Sequence, residues 1–218
     1  MWRVDLHLHT RCSKDSLLAP DRLLAAARRA GMSRIAVTDH NCARAALQLA
    51  EREPDFVIPG EEILTTRGEL LAYFIREEVP PGLTPRAAIE RLRAQGAVIS
   101  VSHPFDRLRG GHWALHDLQA IAPHVDALEG FNARCFFAGD NTQAQEFAAR
   151  CGLPMTAGTD AHAAWEVGRA GLVLPRFATP EELRQALRRA SFFGWRAPWW
   201  VHLFSRYASL RKRMAPHA

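Results

Sequence analysis

A chain of 218 residues, 48% of them apolar, is long enough to close one sizeable core and too short for a string of domains. No apolar run approaches the roughly 20 residues that span a bilayer, and the N-terminus enters a strand pattern at once instead of a secretory signal, so a cytoplasmic protein without a transmembrane segment is expected. The formal charge of +5 admits an anionic partner without specifying one, and the basic residues are nearly all arginine, Lys14 and Lys212 being the only lysines.

Residues 4–10 alternate Val4, Leu6 and Leu8 with Asp5, His7 and His9, the period of a strand with one polar face. A loop follows. Pro20 suits the first position of a helix that Gly31 ends. Residues 34–37 form a short buried strand that delivers Thr38-Asp39-His40, and a helix covers about 43–52. The third strand is read at 56–58, broken by Pro59-Gly60 ahead of Glu61-Glu62; the fourth, at 69–75, comes after a polar turn at 65–68. Thr84-Pro85 opens a helix that stops at Gly96. The fifth strand, 97–101, runs into Ser102-His103-Pro104.

A loop at 105–111 and a short helix at 115–122 lead to the sixth strand, 125–128, which delivers Glu129-Gly130-Phe131-Asn132. A helix at 141–150 ends on Gly152, and the seventh strand, 153–157, delivers Gly158-Thr159-Asp160-Ala161-His162. A short run at 171–174 precedes Thr179 and Glu182, spaced as a capping box for a helix ending near Ala190. Strands alternating with helices predict an α/β fold with a parallel sheet, and about seven such units predict a closed or nearly closed β/α barrel. A doubly wound open sheet is the alternative. No C-x-x-C pair occurs among Cys12, Cys42, Cys135 and Cys151, so free thiols are expected.

Residues 1–190 hold these units, and 191–218 form a separate C-terminal extension. In it Trp199, Leu203, Tyr207, Leu210 and Met214 recur at helical spacing, with Arg206, Arg211, Lys212 and Arg213 as a basic end. An amphipathic helix packed back on the barrel is expected; a membrane-surface or nucleic-acid helix is the other reading.

His7, His9, His40, Glu62, His103, Glu129, Asp160 and His162 all fall at or just beyond the C-terminal ends of strands, the rim where β/α barrels carry their active sites. So many imidazoles and carboxylates converging without a cation would repel or stay unsatisfied, which points to a polynuclear metal site. Nitrogen and oxygen donors without thiolate suit Mn, Zn or Fe. Arginines in rim loops supply bidentate forks for phosphate, and Lys14, Arg107, Arg134 and Arg169 stand where they could reach one.

The motifs DLHLHT with SKD, VTDH, PGEEI, SHP and GTDAH, in that order, resemble those of the polymerase and histidinol phosphatase (PHP) superfamily over nearly the whole chain. The resemblance implies a distorted seven-stranded, TIM-barrel-like β/α barrel holding two to three divalent transition metals. It implies that His7, His9, Glu62 and Asp160 hold one metal, that Glu62 bridges to a second held by His103, and that Asp15, His40 and His162 hold a third. Where relatives have a further histidine near the fourth or sixth strand, this chain offers Glu69, Glu129 or Asn132, with Glu129 preferred.

The implied activity is hydrolysis of a small phosphorylated substrate, a nucleotide or sugar phosphate, through a metal-activated hydroxide, with Asp160 or His103 protonating the leaving oxygen. The rival phosphoesterase reading is a 3'-5' exonuclease-like nuclease acting on single-stranded ends, for which pI and tail are suited. An amidohydrolase with a carbamylated lysine bridge is disfavoured, because neither lysine lies on a mid-barrel strand. A non-catalytic metal-binding module would require a degraded ligand set, and no protein partner is evident.

Overall fold

The computed structural model describes residues 1–214; residues 215–218, the end of the expected extension, lie outside the described residues. Alternation sorts side chains onto two faces of one sheet. In β4 (Glu69–Tyr73), Leu70 and Ala72 join the cluster of α3 (Pro85–Ala94), whereas Leu71 and Tyr73 join a second cluster with Ala36 and Ile58. In β2 (Arg34–Val37), Ile35 and Val37 meet Leu23 and Leu49 of α1 (Pro20–Arg29) and α2 (Arg44–Arg52), while Ala36 faces the second cluster. The second cluster therefore fills the inside of the sheet, and the helices cover its outside.

Among the described residues nine strands are present, ordered β7-β6-β5-β4-β3-β2-β1-β8-β9. The remaining strands are β1 (Trp2–Asp5), β3 (Val57–Leu64), β5 (Val98–Val101), β6 (Ala127–Asn132), β7 (Met155–Gly158), β8 (Ala170–Leu174) and β9 (Ser191–Gly194). The first strand forks. Residues 2–4 pair antiparallel with β8, but beyond Asp5 the chain turns to β7: Leu6 N–H donates to the Ala157 carbonyl (3.3 Å), Asp160 N–H to that of His7 (2.8 Å), and His9 N–H to that of Ala161 (3.0 Å). On the other side Thr38 N–H donates to the Leu8 carbonyl at 2.8 Å.

This fork closes β1 to β7 into a nearly closed barrel and leaves β8–β9 as an antiparallel ribbon beside it. The seven expected strands form the barrel and the ribbon brings the total to nine; the open-sheet alternative falls with the closure. Two further expectations are corrected. Strand β3 is continuous through Pro59-Gly60, where Pro59 pairs with Val37 and Gly60 permits close packing, since a Cβ there would meet the Ala72 carbonyl oxygen at 2.7 Å. Strand β4 runs antiparallel to both neighbours, because the turn at residues 65–68 is too short for the crossover that a parallel pair needs.

Helix caps follow local chemistry: Thr179 and Glu182 form the capping box of α6 (Pro180–Leu187), and Gly152 takes φ 65° at the end of α5 (Ala138–Cys151). Ahead of both, α4 (Leu115–Ile121) packs Leu118 and Ile121 into the cluster with Ile99 and Val101 of β5 and Leu128 of β6. Helix α7 (Val201–Met214) packs back on the barrel, but through Val201 and Ala208 and not through the predicted apolar stripe, which is exposed. Lys212 Nζ ties it down by donating to the carbonyls of Arg11 and Ser13, both at 2.5 Å. No helix among the described residues is long and apolar enough to cross a membrane.

The seam between β1 and β7 has no spare volume, since a Cβ at Gly158 would come 2.7 Å from the His7 nitrogen. Gly158→Ala is expected to cost about 3 kcal/mol, read as a lowered urea midpoint. Gly139→Ala, with open space around it near the start of α5, is the control and should leave the midpoint unchanged or slightly raised. Equal midpoints for the two variants would contradict the closure.

Candidate metal centre

Two buried aspartates build the loops that carry the site. Asp39 accepts from Thr10 N–H and Oγ1 (2.6 Å each), from Ser13 N–H (3.1 Å) and from Ser13 Oγ (2.6 Å), folding the segment after His9 back on β2. Asp5 accepts from Thr159 N–H (3.0 Å) and Oγ1 (2.6 Å), fixing the residue before Asp160. Asp160 itself has φ 54° and Asn41, next to His40, φ 50°, a left-handed conformation uncommon outside glycine. At Asp160 the bond to the His7 carbonyl holds that geometry, and it sets the carboxylate beside both first-strand histidines.

Glu62 is the hub. Its Oε2 lies 3.1 Å from His7 Nε2, 3.0 Å from His40 Nδ1 and 3.4 Å from His9 Nε2; its Oε1 lies 2.9 Å from His103 Nε2 and accepts from Ser102 Oγ at 2.6 Å. The adjacent Glu61 points outward to Val79 N–H (2.9 Å). Asp160 Oδ1 is 3.1 Å from His9 Nε2, and Asp15 Oδ2 stands between His40 Nε2 (3.5 Å) and His162 Nε2 (3.3 Å). All these residues are brought together.

Glu129 stands behind them: its Oε1 is 2.8 Å from His7 Nδ1, and its Oε2 accepts from His103 N–H (2.9 Å) and Asn132 Nδ2 (3.1 Å). This is the position of a group that orients histidines. Glu69, left as an alternative in the sequence, is the carboxylate that faces the cluster, 3.5 Å from His103 Nε2 and 3.9 Å from His40 Nδ1.

Donor atoms fall into four groups whose members lie within 4.8 Å of one another: His7, His9 and Asp160; His7, Glu62 and His103; His9, His40 and His162; and His40, Glu62 and Glu69. His9 Nε2 and Asp160 Oδ1 are buried, face each other and have no hydrogen-bond partner, as is true also of His103 Nδ1 and Asp15 Oδ1. Unpartnered buried nitrogen and oxygen cost free energy unless a cation or proton satisfies them, so this donor set fits divalent metal.

The electrostatics point the same way. Burial, reinforced by His40, pushes His9 down to about 4, and burial with Arg134 and His9 pushes His162 down to about 3, so both are neutral and able to donate to metal. Burial opposes the charge on His7 and His40, yet Glu62 with Glu129 raises the first well above its ordinary value, and Glu62 with Asp15 raises the second to about 9. Against its own burial, Glu62 is held ionised by His7 and His40, and Asp160 by Arg109 and His7.

A cavity of about 440 Å³ opens over the cluster, lined by Lys14, Arg109 and Arg134 along with Asp15, His40 and Glu69. Of the four cations singled out in the sequence, Lys14 and Arg134 reach it. Arg107 is turned to Asp140 at 3.0 Å, and Arg169 to the Trp165 carbonyl at 3.1 Å. Sequence reading missed Arg109, which binds Asp160, lies 3.1 Å from Asp106, and stands 3.2 Å from His103 Nε2. Its signal was the Gly110-Gly111 pair: Gly111 packs directly on the Glu69 carboxylate, 2.5 Å from where a Cβ would stand, so a side chain there would have to displace Glu69.

A PHP domain family model matches residues 5–75, and a PHP-associated model matches residues 138–192. The uncharacterized protein MJ0417 of Methanocaldococcus jannaschii is 38% identical over 171 residues, covering 77% of this chain and 68% of that one. Among solved structures, a two-domain protein from Bacteroides vulgatus containing a predicted PHP-like metal-dependent phosphoesterase superposes with TM-score 0.70 at 20% identity, over 88% of this chain and 64% of that chain. The lesion-specific endonuclease PfuEndoQ of Pyrococcus furiosus superposes with TM-score 0.60 at 18% identity, over 86% and 56%. This chain thus spans less than two thirds of either solved protein, and at these identities the likeness is one of fold.

Adding Mn²⁺ or Zn²⁺ to chelator-treated protein should raise Tm, by about 2.7 kcal/mol of added stability at a hundredfold excess over Kd; a Tm indifferent to metal would count against the centre. Burial pushes Glu61 up to about 8 from its ordinary 4.5, so its contribution is fully present below pH 4.5 and is lost as pH rises to about 8. Glu61→Gln should therefore gain on the wild type progressively from about pH 5 to 8. A stability difference that does not change with pH would show that Glu61 is already ionised in the fold.

Proposed function

This chain belongs to the PHP domain family of metal-dependent phosphoesterases, and on that premise we propose that it hydrolyses a small phosphorylated substrate such as a nucleotide or sugar phosphate. The observation that carries the reading is the cavity itself, lined by Asp15, His40, Glu69 and His162 of the donor cluster together with Lys14, Arg109 and Arg134. Such a site pairs metal-ligand chemistry with charge neutralisation for an anion.

Two to three divalent transition metals, Mn, Zn or Fe, are the proposed cofactors. His7, His9, Glu62 and Asp160 would hold the first, Glu62 with His103 and Glu69 the second, and Asp15, His40 and His162 the third. When bound, they would supply Lewis acidity toward a phosphoryl oxygen and lower the pKa of a water. Glu129 sets the ring plane of His7 from behind. Arg109, held by Asp160 and Asp106 before substrate arrives, would bring its positive charge to a phosphoryl oxygen in the cavity. Asp160, held ionised, is left to the metal, so of the two groups read from the sequence as proton donors to the leaving oxygen His103 is the one that remains.

A nuclease acting on single-stranded ends is the second reading, favoured by an excess of cations that continues from the cavity into α7. One panel separates the two: phosphate release from nucleotides, sugar phosphates and a model diester, and trimming of a short oligonucleotide, each with Mn²⁺ and with chelator. Chelator-sensitive release from one small phosphate is expected, with kcat/KM falling roughly a hundredfold in Arg109→Gln. Oligonucleotide trimming alone would replace the first reading with the second. Turnover that survives metal removal would defeat both.

A further inference from the structure

Helix α7 turns its narrow side to the barrel. Val201 and Ala208 are buried there; Arg134 donates to the Val201 carbonyl (3.1 Å) and to Ser205 Oγ (2.7 Å), and Lys212 anchors the far end. At roughly 100° per residue these positions share one edge, so Leu203, Tyr207, Leu210 and Met214 project from the opposite one. Their exposures are 53%, 57%, 58% and 78%. The usual order of a surface helix is inverted: the small residues are inside and the large apolar ones outside.

Charge follows the same plan. Arg206 and Arg213 flank the stripe on one side and Arg211 on the other, all exposed. No aspartate or glutamate follows Glu182 in the chain. Trp195 and Trp199, 66% and 63% exposed, stand in the segment that leads into the helix.

An apolar stripe bordered by arginines, with tryptophans at its start and no acidic residue in the helix itself, has the character of a helix that lies in a bilayer surface. A second copy of this chain fits less well, because pairing two stripes would press their arginines together with no carboxylate in either helix to neutralise them. Nucleic acid would engage the arginines and leave Leu203, Leu210 and Met214 without partners, since these cannot stack on bases. We propose that the outer face of α7, with Trp195 and Trp199, docks on an anionic lipid surface. The stripe would enter the acyl boundary and the arginines would pair with headgroups. Because His202 and Ser205 of the same helix wall the cavity, docking would hold the metal centre about one helix diameter, ~10 Å, from lipid. The inference stands apart from the phosphoesterase reading.

The full chain would be sedimented with vesicles of phosphatidylcholine alone and of phosphatidylcholine doped with phosphatidylglycerol, at low and high salt. Binding to the doped vesicles is expected, with a blue shift of tryptophan emission. Arg206→Gln/Arg211→Gln/Arg213→Gln should weaken it roughly a hundredfold, and Leu203→Ser/Leu210→Ser at least about tenfold. All five positions are exposed, so unchanged Tm and far-UV spectra would certify the variants, and the wild-type emission shift is a readout that needs no variant. The proposal is overturned by absence of binding to the doped vesicles at low salt, or by binding indifferent to the leucine pair. It is overturned equally by a dimer that the leucine pair dissociates, or by oligonucleotide binding, where vesicles bind nothing.

Discussion

The structure depends on the path of residues 6–9. For those residues the first strand leaves β8 and runs between β2 and β7, hydrogen-bonded on both sides. That path closes the barrel, and it carries His7 and His9 into the same space as Asp160. Closure and the convergence of these donor groups are thus one event, and Gly158 is where the two backbones pass too closely for any side chain. A strand that stayed with β8 throughout would leave the barrel open and the histidines apart.

Around that seam the charges balance by pairing. Buried among one another, His7 and His40 are raised and Glu62 and Asp160 lowered from their ordinary values because each faces opposite charge, while His9 and His162 are left neutral. The outer residues keep this in place. Asp39 and Asp5 bond to backbone and hydroxyl groups of the rim loops, and Glu129 holds His7 from behind. The core of the site is a buried carboxylate hub, Glu62, with histidine and carboxylate donors turned toward it and cations in the wall of the cavity above.

Helix α7 is joined to the site more closely than a C-terminal extension need be. Arg134 links the Asp160 carbonyl to the Val201 carbonyl and Ser205, so the helix position and the rim loop are braced by one buried guanidinium. Strand β9, just past residue 190, pairs with β8 and makes the sheet continuous with the segment that leads to the helix.

Much of this was legible in the sequence, for local reasons. Period-two alternation and strand-end placement brought out His7, His9, His40, Glu62, His103, Asp160 and His162, and the capping box and glycine stops bounded the helices, because those signals act within a few residues of chain. What only the tertiary structure decided were matters of direction and long-range path. Glu129 turns behind His7 while Glu69 faces forward, since β4 is antiparallel and arrives from the other side. Arg109 enters the site while Arg107, two residues away, finds Asp140, because the Gly110-Gly111 loop folds down on Glu69. The first strand forks because β7 and β8 both compete for its edge, and α7 packs by Val201 and Ala208 because the buried Arg134 reaches its backbone there. None of these choices is encoded in spacing along the chain; each is settled by which distant group offers a partner.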